Sequence, residues 1–121
     1  MAHYRERRAT PRVVLPEHPP ARALEVEVRL LDLSIEGAGI EHLGLLRPGL
    51  PCTLELPATL GFLAFSTQVM WCAVVGAERQ RGGERHLRAR SGLRFDEVTQ
   101  YQRTVLADAL RRLMLGPSPA S

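Results

Sequence analysis

What most constrains the fold of this chain is a change of period. Up to residue 95 the apolar residues recur at every second position in separate short runs. From Asp96 onward they recur at intervals near 3.6. The first pattern suits strands with one buried face, the second a helix with one buried stripe. In residues 24–33, Leu24, Val26, Val28 and Leu30 share one face, and Glu25, Glu27 and Arg29 the other. In "CTLELP", Cys52, Leu54 and Leu56 face inward, Thr53 and Glu55 outward. The run "LGFLAFSTQVMWCAVV" reads as a strand in which Val69, Trp71, Ala73 and Val75 alternate with Gln68, Met70, Cys72 and Val74. "GAERQRGGER" reads as a hairpin loop. "HLRARSGLRF" then returns with Leu87, Ala89, Ser91, Leu93 and Phe95 on one face and Arg88, Arg90 and Arg94 on the other.

Shorter strands are expected at 13–15, as an edge before the prolines of "LPEHPP", and at 38–43 after a glycine turn. The helix is expected over about 97–115. Val98, Tyr101, Val105, Ala109 and Arg112 form one row, with Leu106, Leu110 and Leu113 beside it. Asp96 or Glu97 at its start and Arg111 and Arg112 at its end suit the helix dipole, and Gly116 and Pro117 stop it. Short antiparallel strands followed by one helix indicate a small β-barrel or curled sheet with the helix packed on it. The expected organisation is an arginine-rich leader at 1–12, one domain at 13–115 with its barrel over about 13–95, and a disordered tail at 116–121.

The chain has 121 residues, suited to one domain, and 45% are hydrophobic, enough for a core. No apolar run approaches the roughly 20 residues of a membrane helix, so no membrane insertion is expected. The basic N-terminus has no apolar segment after it and is not a secretory signal, which places the protein in the cytoplasm. Cys52 and Cys72, both in apolar runs, read as buried reduced thiols. Trp71 and Met70 read as packing residues. His3, His18, His42 and His86 show no metal spacing and read as surface or incidental residues. Ser34 and Asp32 have no histidine base beside them, so nucleophilic catalysis is not expected and the chain is not read as an enzyme.

All sixteen basic residues are arginine, and they are unevenly placed. Residues 1–12 hold four arginines and one glutamate; residues 78–94 hold six arginines and two glutamates. Arg8 and Arg12 are four apart. In an extended chain this even spacing puts them on one side, roughly 13 Å apart at about 3.3 Å per residue. Guanidinium arms at that distance can converge on a ligand with two phosphates and can also stack on purines. Twenty residues after Arg12 comes "DLSIEGAGI". Asp32 and Ser34 alternate with Leu33 and share a face if the strand runs that far. A carboxylate there can accept hydrogen bonds from a guanine edge; a serine hydroxyl can donate to a phosphate or back to its own chain. Gly37 and Gly39 allow a sharp bend or a close ligand approach. Taken singly, the arginines read as a solvated tail and the Asp-x-Ser-x-x-Gly segment as a turn.

Together and in this order, Arg-x-x-x-Arg at 8–12 and Asp-x-Ser-x-x-Gly at Asp32, Ser34 and Gly37 resemble the PilZ domain family. "VMW" at 69–71, "SGLRF" at 91–95 and the terminal helix extend the resemblance along the chain. It implies a mainly β fold, a six-stranded antiparallel PilZ-type β-barrel with a C-terminal α-helix. It also implies non-catalytic binding of cyclic di-GMP (c-di-GMP), a bacterial second messenger. Arg8 and Arg12 would hold phosphates and stack on guanines, Asp32 and Ser34 would read a guanine and fix the loop, and Gly37 would permit the turn. Arg7, just before the pair, would favour an intercalated ligand dimer.

The implied protein is an adaptor whose leader orders on the ligand and presents a surface to an effector protein; a homodimer is left open. The alternative is a PilZ-like interaction module in motility or surface attachment that does not bind nucleotide. Arg88, Arg90 and Arg94 also form a basic stripe of the kind that holds single-stranded nucleic acid, but no aromatic residue interleaves it, which disfavours that reading.

Overall fold

The computed structural model describes residues 12–79, 82–83 and 85–115. They form seven strands: β1 Val13–Val14, β2 Pro20–Ala23, β3 Val26–Leu33, β4 Gly37–Leu43, β5 Pro51–Glu55, β6 Ala64–Arg79 and β7 Arg85–Phe95. One helix, α1 Gln100–Leu115, follows. Every pairing is antiparallel, in the order β1-β3-β2-β5-β6-β7-β4, and β3 pairs with β4 as well. Strands β2 to β7 therefore close into a six-membered ring, which removes the free edges of an open sheet. β1 extends the pairing of β3 past β2, joining Val13 to Leu33 and Val14 to Asp32. The fold is the mainly β, antiparallel one expected, with its helix at the C-terminal end.

The barrel interior is filled by Leu30, Ile40, Leu54, Phe65 and Val69, each with almost no accessible surface. Phe65 and Phe95 stack with ring centroids 4.2 Å apart. Leu106, Ala109 and Leu110 carry α1 onto the same core cluster, which also includes Leu15, Leu56, Leu60 and Leu63. Burying one such aliphatic side chain is worth about 1.5–3 kcal/mol. The helix begins at Gln100, later than the acids at 96–97 suggested, because Thr99 and Gln102 form a capping box. Thr99 Oγ1 accepts from the Gln102 amide and Gln102 Oε1 from the Thr99 amide, both at 3.0 Å. The Gln102 side chain also donates to the Ala64 carbonyl at 2.7 Å, fastening the helix start to β6.

Several local expectations are corrected. Residues 24–33 are not one strand: Leu24 and Glu25, at φ 55° and 64°, form a two-residue turn between β2 and β3. Left-handed conformation at both central residues is the geometry that matches strand twist in a tight hairpin. Leu24 and Val26 are consequently exposed rather than buried. No strand was expected at Pro20–Ala23, yet β2 sits inside the ring between β3 and β5. The expected hairpin loop at 76–85 is shorter than the sequence suggested, with β6 running to Arg79 and β7 starting at Arg85. Tyr101 and Arg112, read as part of the helix row, are exposed. Cys52 is buried but Cys72 only half-buried; both are free thiols. His42 is not a surface residue: it is buried on the core side of β4, with Nε2 2.8 Å from the Ser91 hydroxyl.

The alternation expected in β6 breaks twice. Val69 pairs with Leu93 but Trp71 with Gly92, so Met70 is an extra residue; a second shift falls between Val74 and Gly76. Such bulges re-aim side chains. Val69 stays buried, while Trp71 and Met70, expected to pack inside, stand outside at 49% and 47% exposure.

Candidate functional site

A bulge also aims Asp32. Leu30 pairs with Ile40 and Asp32 with Gly39, so two steps along β3 match one along β4 and Leu31 is the extra residue. Strict alternation from buried Leu30 would have turned Asp32 into the core. The extra residue sends Leu33 there instead and leaves Asp32 on the outer face.

Asp32 lies over Gly39, whose missing side chain makes the room: a Cβ on Gly39 would come within 2.9 Å of the carboxylate. Gly39 pairs with Gly92, and Gly92 with Trp71, whose indole lies against it. Asp32, Gly39, Gly92 and Trp71 thus form one row across four strands. Adjacent strands are about 4.8 Å apart, so acid and indole rise roughly 14 Å from each other, backbone to backbone, over a floor of glycine.

Arg12 reaches this row from the segment leading into β1. Its Nη1 donates to Asp32 Oδ1 at 2.8 Å. Arg12, Glu36, Gly37, Met70, Trp71 and Arg94 are among the residues around a shallow hollow of about 180 Å3 beside the row. Gly37 is required there because a Cβ would run into the Leu93 carbonyl oxygen of the neighbouring strand.

Ser34 plays a different part from its neighbour. The strand ends at Leu33, and Ser34 turns inward and is buried. Its Oγ accepts from the amides of Glu36 at 3.0 Å and Gly37 at 3.2 Å, and its own amide donates to the Gly37 carbonyl at 2.9 Å. Of the two partners open to this hydroxyl, a ligand phosphate and its own chain, it holds its own chain. This side chain-to-backbone closure sets the β3–β4 turn.

Of the sequence candidates, Arg12 and Gly37 border the hollow, Asp32 is tied to it through Arg12, and Ser34 shapes the β3–β4 turn. Arg7 and Arg8 lie outside the described residues. Trp71, Met70, Glu36 and Arg94 belong to the same hollow but were not singled out as site residues from the sequence. "VMW" was visible, but the bulge that turns it outward was not.

Larger hollows are found among the described residues, including ones of about 360, 480 and 470 Å3. The 480 Å3 one sets Glu25, Glu55 and Asp96 against Arg22 alone, a poor match for an anion, and the 470 Å3 one is mostly apolar. Among the described residues no cluster of His, Cys, Asp and Glu could hold a metal ion, and no helix is long and apolar enough to cross a membrane.

The chain belongs to the PilZ domain family, whose model matches residues 4–112. No curated protein matches it. Among solved structures it is similar to the PilZ domain with c-di-GMP of YcgR from Escherichia coli. The TM-score is 0.65 at 21% identity, covering 90% of this chain and 92% of that one. It is also similar to MrkH, described as a c-di-GMP-dependent transcription regulatory factor. There the TM-score is 0.57 at 15% identity over 91% of this chain, which spans about half of MrkH, 52%. At these identities the likeness is one of fold.

Proposed function

We propose that this chain is a non-catalytic cytoplasmic receptor for cyclic di-GMP that acts as an adaptor toward an effector protein. The observation that carries the reading is the Arg12–Asp32 pair, held at 2.8 Å beside a glycine-floored hollow walled by Trp71. The set suits a purine dinucleotide. The carboxylate accepts from the N1–H and exocyclic amine of guanine, the guanidinium binds a phosphate or stacks on a base, and the indole gives a base an apolar face.

A hollow of about 180 Å3 is small beside the roughly 300–1,000 Å3 of sites that enclose a ligand, so it seats part of a dinucleotide. The leader supplies the rest: Arg8, with Arg7 before it, comes over the ligand as its charge is neutralised. Ordering of a segment by an anion then changes the surface an effector meets. Ser34 and Gly37 hold the turn beneath.

Titration calorimetry with cyclic di-GMP tests this. Heat of binding that Arg8→Ala and Arg12→Ala each abolish supports the receptor; absence of heat with the parent protein overturns it in favour of an interaction module that does not bind nucleotide. Nucleic-acid binding is disfavoured because Arg88 and Arg90, two of the three stripe arginines, share Glu41 at 3.4 and 3.0 Å.

A further inference from the structure

Arg88, Arg90 and Arg94 of β7 are not equivalent, and we propose that Arg94 is a further ligand-binding arginine of this site, positioned for a phosphate of the dinucleotide. The inference rests on the receptor reading above.

Arg88 and Arg90 are tied down. Both guanidinium groups contact the Glu41 carboxylate, and Arg88 also lies against Gly76, where a Cβ would be 3.0 Å from its Nη2. Arg94 stands two residues beyond Gly92, on the far side of the Trp71 indole from Arg90, and opens into the hollow with Arg12. Its own contacts are long: 3.5 Å to Gln68 Oε1 and 4.0 Å to Asp96 Oδ1. Neither is a strong hydrogen bond, and the side chain remains 54% exposed.

The local charge sharpens the point. Arg12 is matched by Asp32 at 2.8 Å, and Glu36 also borders the hollow. Arg94 is therefore the second cation on the rim of the hollow, and it is less firmly engaged than Arg12. Arg94 is the cation by which the barrel itself receives a phosphate. Its planar fork suits two phosphate oxygens.

The test compares Arg94→Gln with Arg90→Gln, each titrated with cyclic di-GMP and melted without it. Arg94→Gln is expected to weaken binding about tenfold or more, the loss of one charge-assisted contact, with an unchanged melting temperature and a shallower salt dependence. Arg90→Gln is expected to bind within about twofold of the parent. Parental affinity in Arg94→Gln overturns the assignment while leaving the receptor reading standing. If the parent protein does not bind the dinucleotide, both fall together.

Discussion

Trp71 lies against Gly92, its partner on the neighbouring strand, so closely that a methyl group on Gly92 would overlap the indole nitrogen. Gly92→Ala must therefore push the ring outward. Because the ring is half exposed it has room to move, and the expected stability loss is modest, about 1–3 kcal/mol. Trp71 is the sole tryptophan, so its emission reports the pocket directly. Gly92→Ala is expected to shift that emission and to weaken cyclic di-GMP binding; unchanged emission would show that the contact does not set the ring's position.

Arg12 and Asp32 are 37% and 24% exposed. A pair in such contact with solvent contributes only about 0.2–1 kcal/mol to folding. Arg12→Ala and Asp32→Asn are expected to melt within a few degrees of the parent protein yet lose at least about tenfold in dinucleotide affinity. Calorimetry and thermal melts on the same samples separate the two effects. A large drop in melting temperature would mark the pair as structural.

The Leu24–Glu25 turn carries two side chains in left-handed backbone, φ 55° and 64°. Each costs about 1–2 kcal/mol relative to glycine, offset in part by glycine's greater freedom when unfolded. Glu25→Gly is expected to stabilise the protein by up to about 1 kcal/mol, seen as a higher denaturation midpoint. The Arg22 bond to the residue-25 carbonyl, at 3.0 Å, uses the main chain and survives the change.

Burial lowers the pKa of His42 below its ordinary 6.5, against the opposing pull of the Leu43 and Gly44 backbone and the Glu41 charge. The unfolded chain then binds the proton more readily than the folded one. Stability from this group is complete above 6.5 and is lost as pH falls from there through the lower folded value. Thermal melts from about pH 7.5 to about 5.5 are expected to show a decline that His42→Gln flattens. An equal slope in both proteins would remove His42 as its source.

How much was legible in sequence varied with the local rule. Cys52, Leu54 and Leu56 announced their inward face because β5 is regular and one-sided. The motif residues Arg12, Asp32 and Gly37 were named from their spacing together with the family resemblance; Arg12 meets Asp32 at 2.8 Å, and Arg12 and Gly37 border one hollow. The Leu24–Glu25 turn was hidden because it lacks the Asn-Gly chemistry that marks such turns. Trp71 was misplaced because a bulge adds one residue without changing composition, so a run of apolar residues looks equally regular with or without it. His42 was missed because its hydrogen-bond partner, Ser91, is far away in sequence and near only through the pairing of β4 with β7.

The glycine floor between Asp32 and Trp71 limits how this pocket can be retuned. Gly37, Gly39 and Gly92 each sit where even a single carbon collides with a neighbour, so the base of the cleft is made of main chain and offers no side chain to exchange. On the proposed reading, any drift in preference from one nucleotide to another must come through the side chains around it: Arg12, Asp32, Glu36, Met70, Trp71 and Arg94.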